Sequence, residues 1–161
     1  MTEVFVGIGS NVEPEQHVRM AVALLRERFG KLRLSPVYRN RAVGFEGQDF
    51  LNLVAAFDTL LGVTESGTAL DEIEVRCGRQ RGAARFAPRS LDLDLLLYGD
   101  ELSEQPPLPR PEILRYDFVL KPLADLAPSR QHPVTGRSYA EHWAEFKDRQ
   151  GKLIPVDLPN L

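Results

Sequence analysis

Two carboxylates, Asp92 and Asp94, interrupt an otherwise apolar run at residues 91–98. Successive side chains of a β-strand alternate between faces, so this spacing predicts that both carboxylates project from one face while leucines cover the other. Two ionised carboxylates side by side repel each other and are costly to bury without a positive partner. Because Mg²⁺ prefers oxygen ligands and often completes its shell with water and phosphate oxygens, the pair predicts a magnesium site beside a nucleotide.

Arginines precede this carboxylate pair. Five of them lie between positions 76 and 89, with no acidic residue among them: Arg76, Arg79, Arg81, Arg85 and Arg89. The last four of these arginines, together with Gly78, Gly82 and Pro88, predict a mobile loop rather than regular structure. A local basic loop on a chain of net charge −3 favours an anionic small ligand over a polyanion. Carboxylates with arginines point to phosphoryl chemistry, which depends on positioning and charge stabilisation.

Other chemical classes are disfavoured by the sequence. It has no Ser/His/Asp or Cys/His arrangement, no Walker A motif and no His/Cys cluster with zinc spacing, and His132 and His142 are interpreted as surface or packing residues. The single Cys77 cannot form an internal disulfide, and neither a membrane-spanning run nor a signal peptide is recognisable. We therefore expect a soluble, cytoplasmic monomer that acts on small molecules and binds neither nucleic acid nor membranes.

The elements that carry these residues follow from hydrophobic periodicity. Alternation predicts strands at residues 4–8, 32–38 and 91–98, and a run that is apolar on both faces predicts a central strand at 50–57. Helical spacing predicts one helix from Pro14 to Gly30 and a second from an N-cap at Thr64 to Gly78. Short elements are predicted at 117–126 and 139–146, and a tail at 155–161. We expect a single domain, residues 1–161, of the α+β class: a ferredoxin-like βαββαβ core with an antiparallel sheet, helices on one face and a C-terminal extension.

Three further features leave alternatives open. Asn52 is the polar exception in its strand, and its amide could bond to backbone or recognise a ligand. The glycines in residues 7–11 permit either a plain turn or the close approach of a ligand. The loop at residues 40–48 is long enough to act as a lid or a pocket wall. Since the fold plan itself hosts RNA-binding, metal-binding and enzymatic roles, it does not decide function.

Residues 85–96, which read RFAPRSLDLDLL, closely resemble the signature of the 6-hydroxymethyl-7,8-dihydropterin pyrophosphokinase family of folate biosynthesis. Four outlying segments are similar to the same family. These are residues 7–11, residues 50–52, Glu74 with the Gly78-Arg79 and Arg81 that follow it, and residues 118–123. A chance match over the twelve positions and the four segments together is improbable, so the resemblance is specific.

The resemblance implies transfer of the terminal diphosphate of ATP to the hydroxymethyl group of the pterin, with release of AMP. Two Mg²⁺ ions would be held by Asp92 and Asp94. The catalytic residues would be Arg79, Arg89, Asp92 and Asp94. Those that bind ATP would be Glu74, Arg81, Arg89, Leu95, Arg110 and Tyr116. Those that bind the pterin would be Asn40, Val43, Phe50, Asn52, Phe86 and Phe118, with Asn52 reading the pterin edge and Phe118 stacking on the ring.

Three positions depart from the family pattern. Arg110 stands where the family usually has a histidine, and Tyr116 where it has an arginine that contacts nucleotide. The loop after Tyr38 begins with Asn40-Arg41, where Thr-Pro or Glu-Pro is common. The alternative function is therefore that of a diverged paralogue that binds nucleotide or pterin without efficient catalysis. An RNA-binding module of the same fold is weaker, because the net charge is acidic and the central strands lack paired surface aromatics.

Overall fold

The computed structural model describes residues 1–40, 49–78, 91–147 and 153–161. The strands are β1 (Thr2–Ser10), β2 (Arg33–Leu34), β3 (Val37–Asn40), β4 (Phe50–Thr59), β5 (Asp92–Tyr98) and β6 (Ile154–Val156). The helices are α1 (Pro14–Phe29), α2 (Val63–Arg76), α3 (Asp117–Leu126) and α4 (Tyr139–Glu145), with a 3₁₀ turn at Pro111–Leu114 before α3. The predicted helices and strands are thus present, although the bounds of several of them differ from the prediction.

The strands form one sheet in the order β5-β1-β4-β3-β6, and β2 pairs with another part of β4. Every pair is antiparallel, which confirms the predicted antiparallel sheet. In the β1 register, Gly9 lies opposite Asn52 on β4 and opposite Asp92 on β5. Strand β1 therefore separates the strand that carries the carboxylate pair from the strand that carries Asn52.

Helices α1 and α2 cover one face of the sheet, as predicted. Val4, Val6 and Ile8 of β1 are buried on this face together with apolar residues of both helices, among them Val22 and Ile73. Pro14 begins α1, where its missing N–H costs no hydrogen bond. This layer fixes which face of each strand is turned away from the helices.

The C-terminal extension covers part of the opposite face. Phe5, Val54 and Leu96 are buried there against Leu120 of α3 and Tyr139 of α4. Alternation along β4 and β5 places Asn52, Asp92 and Asp94 on this same face. The extension thus forms a second helical layer on the side of the sheet that carries the candidate site.

Three sequence-based expectations about the elements are wrong. Helix α2 begins at Val63 after Gly62, without a side-chain cap, so Thr64 lies inside the helix. The strand predicted at 32–38 is interrupted at Ser35 and Pro36, because a proline has no N–H to donate to a sheet. The tail predicted at 155–161 includes two of the three residues of strand β6, which pairs with β3 and covers an edge of the sheet.

No helix in the described ranges is long and apolar enough to cross a membrane.

Candidate active site

The carboxylates of β5 stand opposite glycines of β1. Asp92 is paired with Gly9 and Asp94 with Gly7, while Leu93 and Leu95 are buried in the core beneath α1 and α2. The side chain of Asp94 is 46% exposed. The two acids therefore share one accessible face of β5, and no side chain of β1 stands at the two positions beside them.

The donor set fits a magnesium site that is completed by a ligand. Among the described residues, no group of three or more His, Cys, Asp or Glu side chains converges as a ready-made metal cage. Two carboxylates on one strand leave most of an octahedral shell to water and phosphate oxygens, which is how Mg²⁺ is commonly held beside a nucleotide. Asp92 and Asp94 are consequently suited to a metal that arrives with phosphate.

Arg110 brings a positive charge to the same place. Its Nη2 lies 3.5 Å from Oδ1 of Asp94, and its Nε lies 2.5 Å from Oε2 of Glu112. Its backbone N–H donates to the carbonyl of Leu96 at 3.0 Å, which anchors the residue beside β5. Sequence reasoning missed Glu112, although an acid two positions from a suspected phosphate-binding arginine was the available signal. The guanidinium is thereby oriented by two carboxylates next to the proposed phosphate site.

Glu74 connects α2 to the carboxylate strand. Glu74 is 6% exposed, and its Oε2 accepts a hydrogen bond from the backbone N–H of Leu93 at 2.8 Å. Leu93 lies between the two aspartates, on the terminal strand of the sheet. Glu74 therefore holds β5 in place from the helical side, and the side chain of Leu95 is also buried there.

Two asparagines that were predicted to bind the pterin are brought together. Nδ2 of Asn52 donates a hydrogen bond to Oδ1 of Asn40 across the β3–β4 pair. Asn40 lies opposite Phe50 in the same register, so three predicted pterin residues lie at one end of two adjacent strands. Because the side chain of Asn52 bonds to the carboxamide of Asn40 and not only to backbone, the two carboxamides form a polar edge on the surface of the sheet.

A tyrosine behind these asparagines ties β3 to α3. Tyr38, the register partner of Asn52, donates from its hydroxyl to Asp125, which also pairs with Nζ of Lys121 at 2.8 Å. Burial and the neighbouring carboxylate raise the pKa of Tyr38 well above its ordinary value. Tyr38 is therefore a protonated structural donor at neutral pH.

Two aromatic residues at the start of α3 pack on each other. The rings of Tyr116 and Phe118 are stacked, with centroids 5.1 Å apart and an angle of 17° between their planes. Helix α3 packs on β3 and β4, and its buried leucines lie on the face that carries Asn52. The structure thus brings together two residues that sequence reasoning had placed on different ligands, ATP for Tyr116 and the pterin for Phe118.

The asparagine and carboxylate groups lie side by side on the sheet. Asn52 and Asp92 both flank Gly9, on the strands to either side of it. Since neighbouring strands are about 4.8 Å apart, the two backbones are separated by roughly 10 Å. A planar polar ring at Asn52 and a phosphate chain at Asp92 and Asp94 would therefore be adjacent.

Five predicted site residues lie outside the described residues: Val43, Arg79, Arg81, Phe86 and Arg89. The predicted arginine loop beyond Gly78 and most of the loop predicted at 40–48 lie outside them as well.

Comparisons with known proteins give one consistent family. The model of the family described as 7,8-dihydro-6-hydroxymethylpterin-pyrophosphokinase (HPPK) matches residues 5–128. A 2-amino-4-hydroxy-6-hydroxymethyldihydropteridine pyrophosphokinase of Pseudomonas aeruginosa is 42% identical over 140 residues, which cover 81% of this chain and 83% of that protein. A protein of the same description from Aquifex aeolicus is 34% identical over 151 residues, or 91% of each chain.

A solved structure has a similar fold. It is a crystal structure of Plasmodium falciparum HPPK-DHPS, wild type, with SDX-DHP, and it matches with a TM-score of 0.71 at 12% identity. The match covers 91% of this chain and 44% of that one, so this chain spans less than half the length of that protein.

Proposed function

The chain belongs to the 7,8-dihydro-6-hydroxymethylpterin-pyrophosphokinase family, whose members act in folate biosynthesis, and on that premise we propose that it transfers the terminal diphosphate of ATP to the hydroxymethyl group of 6-hydroxymethyl-7,8-dihydropterin and releases AMP. The observation that carries the proposal is the arrangement of side chains on the two sides of Gly9. The carboxylate pair lies on β5 on one side, and the asparagine pair lies on β4 and β3 on the other. Such a transfer needs a pterin hydroxyl and a phosphate chain side by side.

Asp92 and Asp94 are the proposed holders of two Mg²⁺ ions. When bound, the ions would neutralise charge on the phosphates and lower the pKa of the attacking hydroxyl. The support in this chain is the same-face geometry of the two acids beside glycines. Arg110, oriented by Asp94 and Glu112, is proposed to contribute a further positive charge along the phosphates.

The remaining ATP contacts are assigned from the family resemblance. Arg79, Arg81 and Arg89 are proposed to bind the triphosphate, with Arg79 and Arg89 also stabilising the charge that develops during transfer. Glu74, Leu95 and Tyr116 are proposed to line the nucleotide site. Because the side chain of Leu95 is buried on the opposite face, we expect its contact to come from the backbone.

The pterin is proposed to lie against the asparagine pair. The carboxamides of Asn40 and Asn52 offer donors and acceptors to the pterin edge, and their mutual hydrogen bond restrains both side chains. Phe50, Phe86 and Phe118 are proposed to line or stack on the ring, with Val43 beside them. The combination of a polar edge and apolar faces suits a flat heterocycle.

For the molecule as a whole, we propose one domain that acts as a cytoplasmic monomer. Its core is proposed to follow the ferredoxin-like βαββαβ plan, which is supported by the strand order β5-β1-β4-β3 and by the two helices on one face.

The decisive experiment is an assay of AMP release. Protein incubated with ATP, Mg²⁺ and 6-hydroxymethyl-7,8-dihydropterin is expected to form AMP and the pterin diphosphate in equal amounts, because the transferred group is the terminal diphosphate. Reactions without pterin, or with excess chelator in place of Mg²⁺, serve as controls and should yield no AMP. Formation of ADP alone, or of no nucleotide product, would contradict the proposed function.

A further inference from the structure

Gly9 touches the part of the site that meets the pterin, although it has no side chain of its own. A methyl group placed on its Cα would lie 2.8 Å from Oδ1 of Asn52 and 3.9 Å from Cδ1 of Phe50. Nonbonded heavy atoms attract each other at about 3.5–4.0 Å, so the first distance is a clash and the second is ordinary contact. The carboxamide of Asn52 thus occupies the space that a side chain at position 9 would fill.

The other end of the same carboxamide is also held. Nδ2 of Asn52 donates to Oδ1 of Asn40, on the side of β4 away from β1. The carboxamide therefore extends across the sheet surface, with its oxygen over β1 and its nitrogen toward β3. Moving the oxygen away from position 9 would turn the group and disturb this hydrogen bond.

Gly7 shows that the close approach is specific to position 9. It lies two residues earlier on the same strand and face, and a methyl group placed on it would meet Leu96 at 3.6 Å, an ordinary contact. Neither Gly7 nor Gly9 has a φ in the left-handed region, so the backbone would accept alanine at both positions. The two glycines differ in what their Cα atoms face.

We propose that Gly9 is a positioning residue for the pterin: its missing side chain lets the Asn52 carboxamide lie against β1, in the orientation that reads the pterin edge. The inference rests on the proposed function, since it needs Asn52 to bind that substrate. It assigns to position 9 a role in substrate affinity, distinct from the permissive turn that the sequence alone allows. Position 9 thereby acts through Asn52 and not by direct chemistry.

The test compares Gly9→Ala with Gly7→Ala. Gly9→Ala is expected to raise the KM for the pterin by about tenfold or more, because turning the carboxamide loses or weakens hydrogen bonds worth about a factor of ten each. Its kcat and its KM for ATP should change by less than about threefold. Its urea midpoint should fall only slightly, because the one interaction that the methyl group disturbs is the hydrogen bond between Asn52 and Asn40. Gly7→Ala should retain the wild-type KM for the pterin.

A double-mutant cycle with Asn52→Ala identifies the route of the effect. Once the carboxamide is absent, adding Gly9→Ala should change the KM for the pterin by less than about twofold. A wild-type KM for the pterin in Gly9→Ala would overturn the inference, because the methyl group would then have no effect on binding. A tenfold effect that persists in the Asn52→Ala background would also overturn it, because the methyl group would then act directly on the substrate.

A measurement without substrate separates this inference from the proposed function. The side-chain amide resonances of Asn52 in NMR spectra of the free protein should shift in Gly9→Ala and stay in place in Gly7→Ala. Resonances unmoved in Gly9→Ala would overturn the positioning role even if AMP release is normal. Absence of AMP release by the wild-type protein would overturn the proposed function, while shifted resonances would still support the contact between position 9 and Asn52.

Discussion

Three charged side chains of the candidate site, Asp94, Arg110 and Glu112, alternate in sign. Asp94 faces Arg110, and Arg110 in turn is held by Glu112, so the guanidinium has two carboxylates about it. An arginine oriented in this way presents its remaining donors in a fixed direction, which suits planar recognition of phosphate oxygens. Charge balance at the site is therefore shared between β5 and the 3₁₀ turn that precedes α3.

Asp94→Asn keeps the shape of the side chain and removes its charge. We expect AMP release to fall by about 100-fold or more, since even groups that only support metal ligands contribute about 10–100-fold. Steady-state AMP release measures the loss. Calorimetric titration with Mg²⁺ in the presence of a nonhydrolysable ATP analogue should show correspondingly weaker binding.

The matched control for Asp94→Asn is Asp58→Asn, because Asp58 is an exposed aspartate on β4 whose carboxylate lies 3.9 Å from Arg33. It should leave both AMP release and Mg²⁺ binding unchanged. Full activity of the Asp94 variant would rule out the metal assignment.

At the scale of elements, the best-predicted parts are the strands with a strong apolar pattern. Strands β1 and β5 follow from the alternation of their side chains, which also placed Asp92 and Asp94 on one face, and β4 follows from a run that is apolar on both faces. Strand β6 is only three residues long and depends on an exposed edge of β3, which no local pattern reveals. The contact between Gly9 and Asn52 arises from the register of β1 against β4, and register is a property of the assembled sheet.

The link from α2 to β5 can be tested at Glu74. Glu74→Ala leaves the N–H of Leu93 without its acceptor, and we expect it to lower the free energy of unfolding by about 1–3 kcal/mol. Glu74→Gln keeps an acceptor oxygen and should cost less. Urea unfolding measures both changes.

Glu72→Ala is the control for this link, because Glu72 is exposed on the same helix and should change stability by less than about 0.5 kcal/mol. Equal stability of Glu74→Ala and wild type would contradict the anchoring role. A rise in the KM for ATP in Glu74→Gln, at little cost in stability, would support the proposed nucleotide contact separately.

At the scale of the whole molecule, helices pack on both faces of the sheet, and the two helical layers differ in how much of their face they cover. The layer of α1 and α2 buries the apolar sides of β1, β4 and β5, whereas the C-terminal layer shares its face with the candidate site. That second layer contains a histidine cluster: the ring of His132 lies 6.0 Å from that of Tyr139 and 5.7 Å from that of His142. From the sequence, His132 is interpreted as a surface or a packing residue, and the structure shows that it is buried.

His132 makes the stability of this layer depend on pH. Its Nδ1 accepts the backbone N–H groups of Val134 and Thr135, each at 3.2 Å, so protonation there would break both hydrogen bonds. Burial, with a smaller contribution from His142, lowers the pKa of His132 below its ordinary value of about 6.5. The unfolded chain then binds the proton more readily, so this stabilisation is complete above about pH 6.5 and declines as the pH falls below it.

His132→Asn offers a carboxamide oxygen as a permanent acceptor. We expect its free energy of unfolding to decline less than that of wild type between about pH 7 and pH 5, because the variant has no imidazole to protonate at this position. Urea unfolding at a series of pH values measures the slope. A slope in His132→Asn equal to that of wild type would argue against His132 as the source.

The central position of β1 also governs how the chain assembles. Its two neighbours come later along the chain, at Phe50–Thr59 and Asp92–Tyr98, so β1 leaves the ribosome with both edges unpaired. Pairing over such sequence separations slows folding and prolongs the exposure of apolar strand residues, which favours engagement by chaperones during synthesis. Asn52 and Asp92 become neighbours across Gly9 only when β1 has both partners, so binding of both substrates would report that the last strand of the core is in place.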